Sequence, residues 1–123
     1  MASRNILVVD DSAMMRQLIS MAVRKAVPGV SVSEAVNGRE ALAQIKAGHF
    51  DLVLTDMQMP EMDGGELIES VRRDLGKDLP IIVVTTRGEE SDRAAGLANG
   101  ANGYLTKPVN PRELRETVNR YLR

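Results

Sequence analysis

The sequence predicts an α/β fold: a single five-stranded parallel sheet with helices on both faces. Three observations lead there. Short apolar runs alternate with longer segments whose apolar residues recur at helical spacing. The runs Ile6 to Val9 and Ile81 to Val84 are continuous and rich in β-branched residues, as strands covered on both faces are. The 123 residues suffice for one domain with a real core.

The elements follow in order. Strand one is Ile6 to Val9. Helix one carries Met15, Leu18, Ile19, Ala22, Val23 and Ala26 on one stripe, with Ser12 as N-cap and Pro28-Gly29 as stop. Strand two is the mixed run Val30 to Ala35. Ala41, Leu42 and Ile45 mark a shorter helix ended by Gly48, and Leu52 to Leu54 is strand three. Leu67, Ile68, Val71 and Leu75 give helix three, ended by Gly76. After strand four, helix four spans about 90–99. Its face is mostly alanine with Leu97, and Gly96 inside it costs about 1 kcal/mol relative to Ala. It is expected to be the least stable helix. Strand five holds Tyr104 and Leu105. The last helix presents Leu114, Val118, Tyr121 and Leu122, opened by Asn110 as cap and Pro111 at its first position. No repeat, linker or low-complexity segment is evident, and residues 1–123 read as one domain.

Composition narrows the function. Sixteen basic and seventeen acidic side chains nearly balance, so nothing indicates bulk attraction to nucleic acid or membrane. There is no cysteine and one histidine, His49, which argues against thiolate or histidine metal clusters and a Ser/His/Asp triad. His49 is expected at the surface without a role. Scarce aromatics argue against a stacking platform for single-stranded nucleic acid. The N-terminus does not read as a signal peptide, and no apolar run reaches the roughly 18 residues of a membrane span. A soluble, cytoplasmic domain is the expectation.

Polar residues fall where such a sheet binds ligands. With all strands parallel, their C-terminal ends share one edge. Asp10 and Asp11 follow strand one, Asp56 follows strand three, Thr85 and Thr86 follow strand four, and Lys107 follows strand five. Two carboxylates about 4 Å apart repel by roughly 4 kcal/mol at an effective dielectric of 20. Either a pKa rises or a cation joins them. Hard oxygen ligands favour Mg²⁺, with Mn²⁺ as a substitute. A carboxylate can accept a phosphoryl group as nucleophile, a transfer that needs mainly positioning and charge neutralisation. Asp56, alone at the centre of the edge, is the best nucleophile.

The segments "VVDDS" (8–12), "LTDMQMPEMDGGEL" (54–67), "VVTT" (83–86) and "GYLTKP" (103–108) together resemble the receiver domain of two-component response regulators, most closely its stand-alone chemotaxis members. No single motif is decisive; four in this order and spacing are. The resemblance implies a flavodoxin-like sheet of strand order 2-1-3-4-5. It implies Asp56 as phosphoacceptor, with Asp11, Asp56 and the backbone carbonyl of Gln58 as Mg²⁺ ligands and Asp10 reaching the ion through water. It implies that Lys107 pairs with the phosphoryl group and that the Lys107-Pro108 bond is cis. Thr85 would move to the phosphoryl oxygens, and Tyr104 would be an aromatic switch. A histidine kinase would be the phosphodonor. The output target would bind the face of helix four, strand five and helix five. The protein would be a monomer that neither binds nucleic acid directly nor turns over other substrates. The chain departs from the family's common pattern at Thr86, where a small residue is usual, and at Val109, where an aromatic is usual. Both bear on access to Asp56 and on partner contacts.

Each residue also has a plainer reading. Asp10 and Asp11 could merely charge a helix N-terminus, and Asp56 could be a turn residue. Lys107 could be a solvated lysine, Thr85 an ordinary strand residue and Tyr104 a static aromatic. The methionines near the site, Met57 and Met59 among them, read mainly as packing, with a partner contact open to either. Arg112, Arg115, Arg120 and Arg123 read as a solvated face. Rival functions are a Mg²⁺-dependent phosphatase or hydrolase, a pseudo-receiver that never uses phosphate, and a receiver cut from a longer DNA-binding regulator. A hydrolase would usually need a second acid/base and a cap insert, neither evident in the sequence.

Overall fold

Alternation along each strand divides the apolar side chains between two layers. Leu7, Val9, Val53, Ile81 and Val83 point to one face of the sheet; Ile6, Val8, Leu52, Leu54, Ile82, Val84 and Leu105 point to the other. A computed structural model of the protein describes residues 4–75, 78–86 and 90–122, with the backbone alone at 90, 92 and 93. The strands are β1 (Asn5–Val9), β2 (Ser31–Ala35), β3 (Leu52–Thr55), β4 (Ile81–Thr86) and β5 (Gly103–Lys107). The helices are α1 (Ala13–Ala26), α2 (Gly38–Ala47), α3 (Gly64–Ser70), α4 (Glu90–Ala98) and α5 (Pro111–Tyr121).

All neighbouring strands are parallel, in the order β2-β1-β3-β4-β5. Ile19 and Val23 of α1 and Leu114 and Val118 of α5 cover one face. Ala41 and Ile45 of α2 and Leu67 and Ile68 of α3 cover the other. The predicted order, parallelism and two-faced helical cover are all present.

Local chemistry sets the helix starts. The Ser12 hydroxyl accepts from the Met15 N–H, and the Asn37 side chain accepts from the Glu40 N–H. Asp63 and Glu66 form a reciprocal capping box at α3. Asn110 accepts from the N–H groups of Arg112 and Glu113, with Pro111 next. Gly29, at φ +83°, takes the chain out of α1 as the Pro28-Gly29 stop predicts.

Two elements differ from expectation. The third helix is α-helical only to Ser70 and continues as a wider π-helical turn, Val71–Leu75. There the Arg72 guanidinium donates to the Gly100 carbonyl from Nε (3.1 Å) and Nη2 (2.9 Å) and to the Leu79 carbonyl from Nη1 (2.7 Å). These bonds anchor the wide turn to the loops before β4 and β5. The stop expected at Gly76 lies outside the described residues, as does Arg123. The face expected to pack, Ala94, Ala95, Ala98 and Leu97, is exposed on α4, and the buried position among its described residues is Gly96, whose lack of a side chain has a steric purpose. A Cβ on Gly96 would lie 2.7 Å from Val83 Cγ2, so glycine lets α4 rest directly on β4.

Candidate functional site

Register brings the polar residues together. Val9 is level with Thr55 in the β1–β3 ladder, so the residues that follow, Asp10 and Asp56, stand side by side. Thr55 is level with Val83, and Val83 with Tyr104. Thr85 therefore emerges one step beyond Asp56 on the adjacent strand, beside Thr106. Lys107 ends β5, level with Thr86.

Asp10, Asp11 and Asp56 each place a carboxylate oxygen within 4.8 Å of the other two. Lys107 Nζ donates to Asp10 Oδ2 at 2.7 Å and to Asp56 Oδ2 at 3.2 Å. It thus bridges the sheet from β5 to the acids beyond β1 and β3. One ammonium among three carboxylates leaves a formal charge of −2 for a divalent cation to neutralise. Octahedral Mg²⁺ at about 2.1 Å from each oxygen spaces its ligands about 3 Å apart when adjacent and about 4.2 Å when opposite. The three-acid cluster fits that scale with small adjustments, and its donors are all hard oxygens.

The three acids are not equivalent. Asp10 is 1% exposed; its Oδ1 accepts from the Ser12 N–H (2.9 Å) and its Oδ2 from Lys107. Both its oxygens are engaged. Asp11 is exposed. Asp56 Oδ1 accepts from the Met57 N–H at 2.7 Å and the Gln58 N–H at 3.4 Å. Burial raises the Asp56 pKa, the Lys107 charge pulls it back, and Asp10 pushes it up again; the net direction is up. For Lys107, burial works against the charged form. Its hydrogen bond to Asp10 and the charges of Asp56 and Asp10 outweigh that and hold its pKa above the ordinary value.

Thr85 is 4% exposed at the end of β4. Tyr104 is 40% exposed on β5 and lies on the face away from Leu105, the face that also carries Val83. The Lys107-Pro108 bond is cis. Thr86 is exposed at the rim, and Val109 packs against the core under α1 and α5. Met57 is buried and Met59 packs against the same core, so packing is the reading for both. His49 is exposed and its Nε2 lies 3.2 Å from Asp51 Oδ1, far from the acids in the fold. Arg112, Arg115 and Arg120 are exposed.

Some supporting residues were not read from the sequence. Arg16 donates from Nη1 to the Asp10 carbonyl (2.8 Å) and from Nε to Glu34 (3.1 Å), fastening the turn that holds two of the acids. Gly38 and Gly64 hold the loop after β3 from either side. The Gly38 N–H donates to the Met62 carbonyl (2.8 Å), and the Gly64 N–H to the Met57 carbonyl (2.9 Å). The Asp-Gly-Gly run at 63–65 was the available signal for this close approach.

Among the described residues no helix is long and apolar enough to cross a membrane. The sequence model of the response regulator receiver domain matches residues 6–119. The phosphate regulon transcriptional regulatory protein PhoB of Pseudomonas aeruginosa is 43% identical over 115 residues, covering 93% of this chain and 49% of its own. The transcriptional regulatory protein ResD of Bacillus subtilis is 40% identical over 118 residues, covering 96% of this chain and 48% of its own. The chain thus spans about half the length of such curated relatives. The chemotaxis response regulator CheY4 of Vibrio cholerae superposes with a TM-score of 0.86 at 38% identity, covering 98% of this chain and 100% of that one. A CheY-like receiver domain protein of Methanospirillum hungatei superposes with a TM-score of 0.88 at 32% identity, covering 98% and 94%.

Proposed function

The chain belongs to the response regulator receiver family, and from that premise we propose that it is a phosphorylation switch whose acceptor is Asp56. Receiver domains are signalling switches and not metabolic enzymes. The observation that carries the assignment is the gathering of Asp10, Asp11 and Asp56 within 4.8 Å, with Lys107 bonded to two of them.

In this reading the donor is a phosphohistidine on a histidine kinase. A carboxylate oxygen of Asp56 attacks phosphorus as the bond from phosphorus to the imidazole nitrogen breaks, and the imidazole takes up a proton. Bound Mg²⁺ supplies charge neutralisation for the phosphoryl oxygens. Asp11, Asp56 and the Gln58 carbonyl would hold the ion, with Asp10 reaching it through water. Lys107 pairs with the phosphoryl oxygens. The Met57 and Gln58 N–H groups, already directed at Asp56 Oδ1, steady the acceptor.

The product adds negative charge and oxygens beside Thr85. Thr85 is drawn to them, Tyr104 turns inward from its exposed position, and the face of α4, β5 and α5 changes. Both forms pre-exist, and phosphorylation shifts the balance toward the one it stabilises. That face is the docking site for a downstream protein, and the setting is cytoplasmic.

The test is labelling by acetyl phosphate with Mg²⁺, read by intact mass. Wild-type protein should gain one phosphoryl group and Asp56→Ala none; stoichiometric labelling of Asp56→Ala would assign the acceptor elsewhere. A second reading is favoured by the half-length match to transcriptional regulators: the same switch as the receiver unit of a longer DNA-binding regulator. The size of the native protein in cell extract separates the two.

A further inference from the structure

Met57 connects the Asp56 carboxylate to α4. Its N–H donates to Asp56 Oδ1 at 2.7 Å, so its backbone is tied directly to the acceptor group. Its side chain is buried, 6% exposed, in the core between β4 and the helices on that face. A Cβ on Gly65 would lie 3.4 Å from the Met57 methyl, and one on Gly96 would lie 3.5 Å from its sulfur. The same Gly96 Cβ would come 2.7 Å from Val83 Cγ2. Among the described residues of α4, Gly96 comes close to the sheet at Val83, with the Met57 sulfur beside that point.

The placement of glycine there is costly. Glycine inside a helix costs about 1 kcal/mol against alanine, and α4 buries little else among its described side chains. A helix so lightly seated among its described residues responds to what forms the seat. Val83 lies level with Tyr104, so the same seat adjoins β5. Asn99 adds a tie beyond the end of α4, donating from Nδ2 to the Gly65 carbonyl at 3.4 Å.

We propose that Met57 is a positioning residue that carries the state of the Asp56 carboxylate to helix α4 through its contact with Gly96, in parallel with the hydroxyl of Thr85. The inference rests on Asp56 being the phosphoacceptor. Modification of Asp56 alters the oxygen to which the Met57 N–H is bonded. The Met57 backbone shifts with it, and the unbranched thioether transmits that shift to the underside of α4. Thr85 acts along β4, whereas Met57 acts from the end of β3.

The experiment uses the full chain with Mg²⁺ and beryllofluoride, and follows backbone amide shifts of Thr85 and of Ala94 to Ala98. Acetyl phosphate labelling is measured separately on each protein. Met57→Ala keeps the backbone N–H that steadies Asp56 and removes only the thioether; once saturated with beryllofluoride it should keep the Thr85 response, whatever its labelling rate. Its α4 response should fall about twofold or more, the scale of coupling changes along a transmission route. Met57→Leu, which keeps the volume against Gly96, should restore the α4 response. A Met57→Ala protein with a wild-type α4 response, or with Thr85 and α4 responses reduced alike, overturns the proposal. Should Met57→Ala fail to fold, the wild-type Met57 methyl resonance decides. The methyl adjoins Gly65 on the same thioether whose sulfur adjoins Gly96; it must shift together with the Gly96 amide on adding beryllofluoride, and an unchanged methyl overturns the proposal. Failure of wild-type protein to label at Asp56 would sink the acceptor assignment instead.

Discussion

Alanine at position 64 would force the loop after Asp56 off its seat. A Cβ there would overlap the Asp56 carbonyl oxygen and lie 2.9 Å from Met57 Cα and 3.1 Å from the Asp56 carbonyl carbon. All three are backbone atoms, so no side-chain rotation relieves the collision. Either α3 withdraws, losing the 2.9 Å bond from the Gly64 N–H to the Met57 carbonyl, or the loop moves and takes Asp56 with it. Overpacking of this kind costs about 1–3 kcal/mol. The gain in helix propensity from Gly to Ala returns at most about 1 kcal/mol. A net loss of about 1–2 kcal/mol lowers Tm by roughly 3–10 °C in a domain of this size. Displacing Asp56 by a fraction of an ångström should slow acetyl phosphate labelling on the order of 10-fold, since a full 1 Å misplacement costs about 100-fold. Thermal unfolding by circular dichroism and the labelling rate measure the two effects. Gly48→Ala is the control, because a Cβ there meets only Gln44 O at 3.6 Å, an ordinary contact. If Gly64→Ala matches Gly48→Ala in both Tm and labelling rate, the close-approach reasoning is wrong.

Further outcomes follow from other groups. Asp56 has a folded-state pKa above 3.8, raised first by burial, so its charge opposes folding when no metal is bound. That cost is absent below the unfolded pKa, grows as pH rises from the unfolded to the folded value, and is complete above it. Asp56→Asn should therefore be more stable than wild type at pH 7 in EDTA. The gap in urea midpoints should close as pH falls through the folded pKa; a gap constant with pH would refute this. Ser20 Oγ is, among the described residues, the buried side-chain polar atom without a hydrogen-bond partner. Ser20→Ala should raise stability by about 1 kcal/mol in urea unfolding, and a loss would show that the hydroxyl is satisfied. Arg72→Lys cannot span the Gly100 and Leu79 carbonyls together. It should cost about 1.5–3 kcal/mol and leave the labelling rate unchanged, and a slowed rate would contradict the separation of that anchor from the acids.

The fold was legible where burial dictates composition. Ile6 to Val9 and Ile81 to Val84 could be assigned because strands buried on both faces leave no position for a polar residue. Asp10, Asp11, Asp56 and Lys107 were legible for the converse reason: each interrupts or ends an apolar run at the same edge. What stayed hidden depends on proximity that no local pattern encodes. Gly96 reads as a weak point by propensity, and only the approach of Val83 and Met57 shows why glycine is there. Arg16 and Arg72 look like ordinary surface charges until their carbonyl partners arrive from elsewhere in the chain. The widening of the helix after Ser70 leaves no trace in the apolar spacing, because Val71 and Leu75 suit either kind of turn.

The Arg72 anchor divides the molecule's labour between its two rims. Opposite the acids, Arg72 grips two loops, Asn102 accepts from the Ile81 N–H (2.8 Å), and the Tyr121 hydroxyl donates to the Asn102 carbonyl (2.9 Å). None of those clasps includes an acid of the cluster or Lys107. Loops at the acid rim can therefore be rewritten while the lower hem keeps the cloth from fraying.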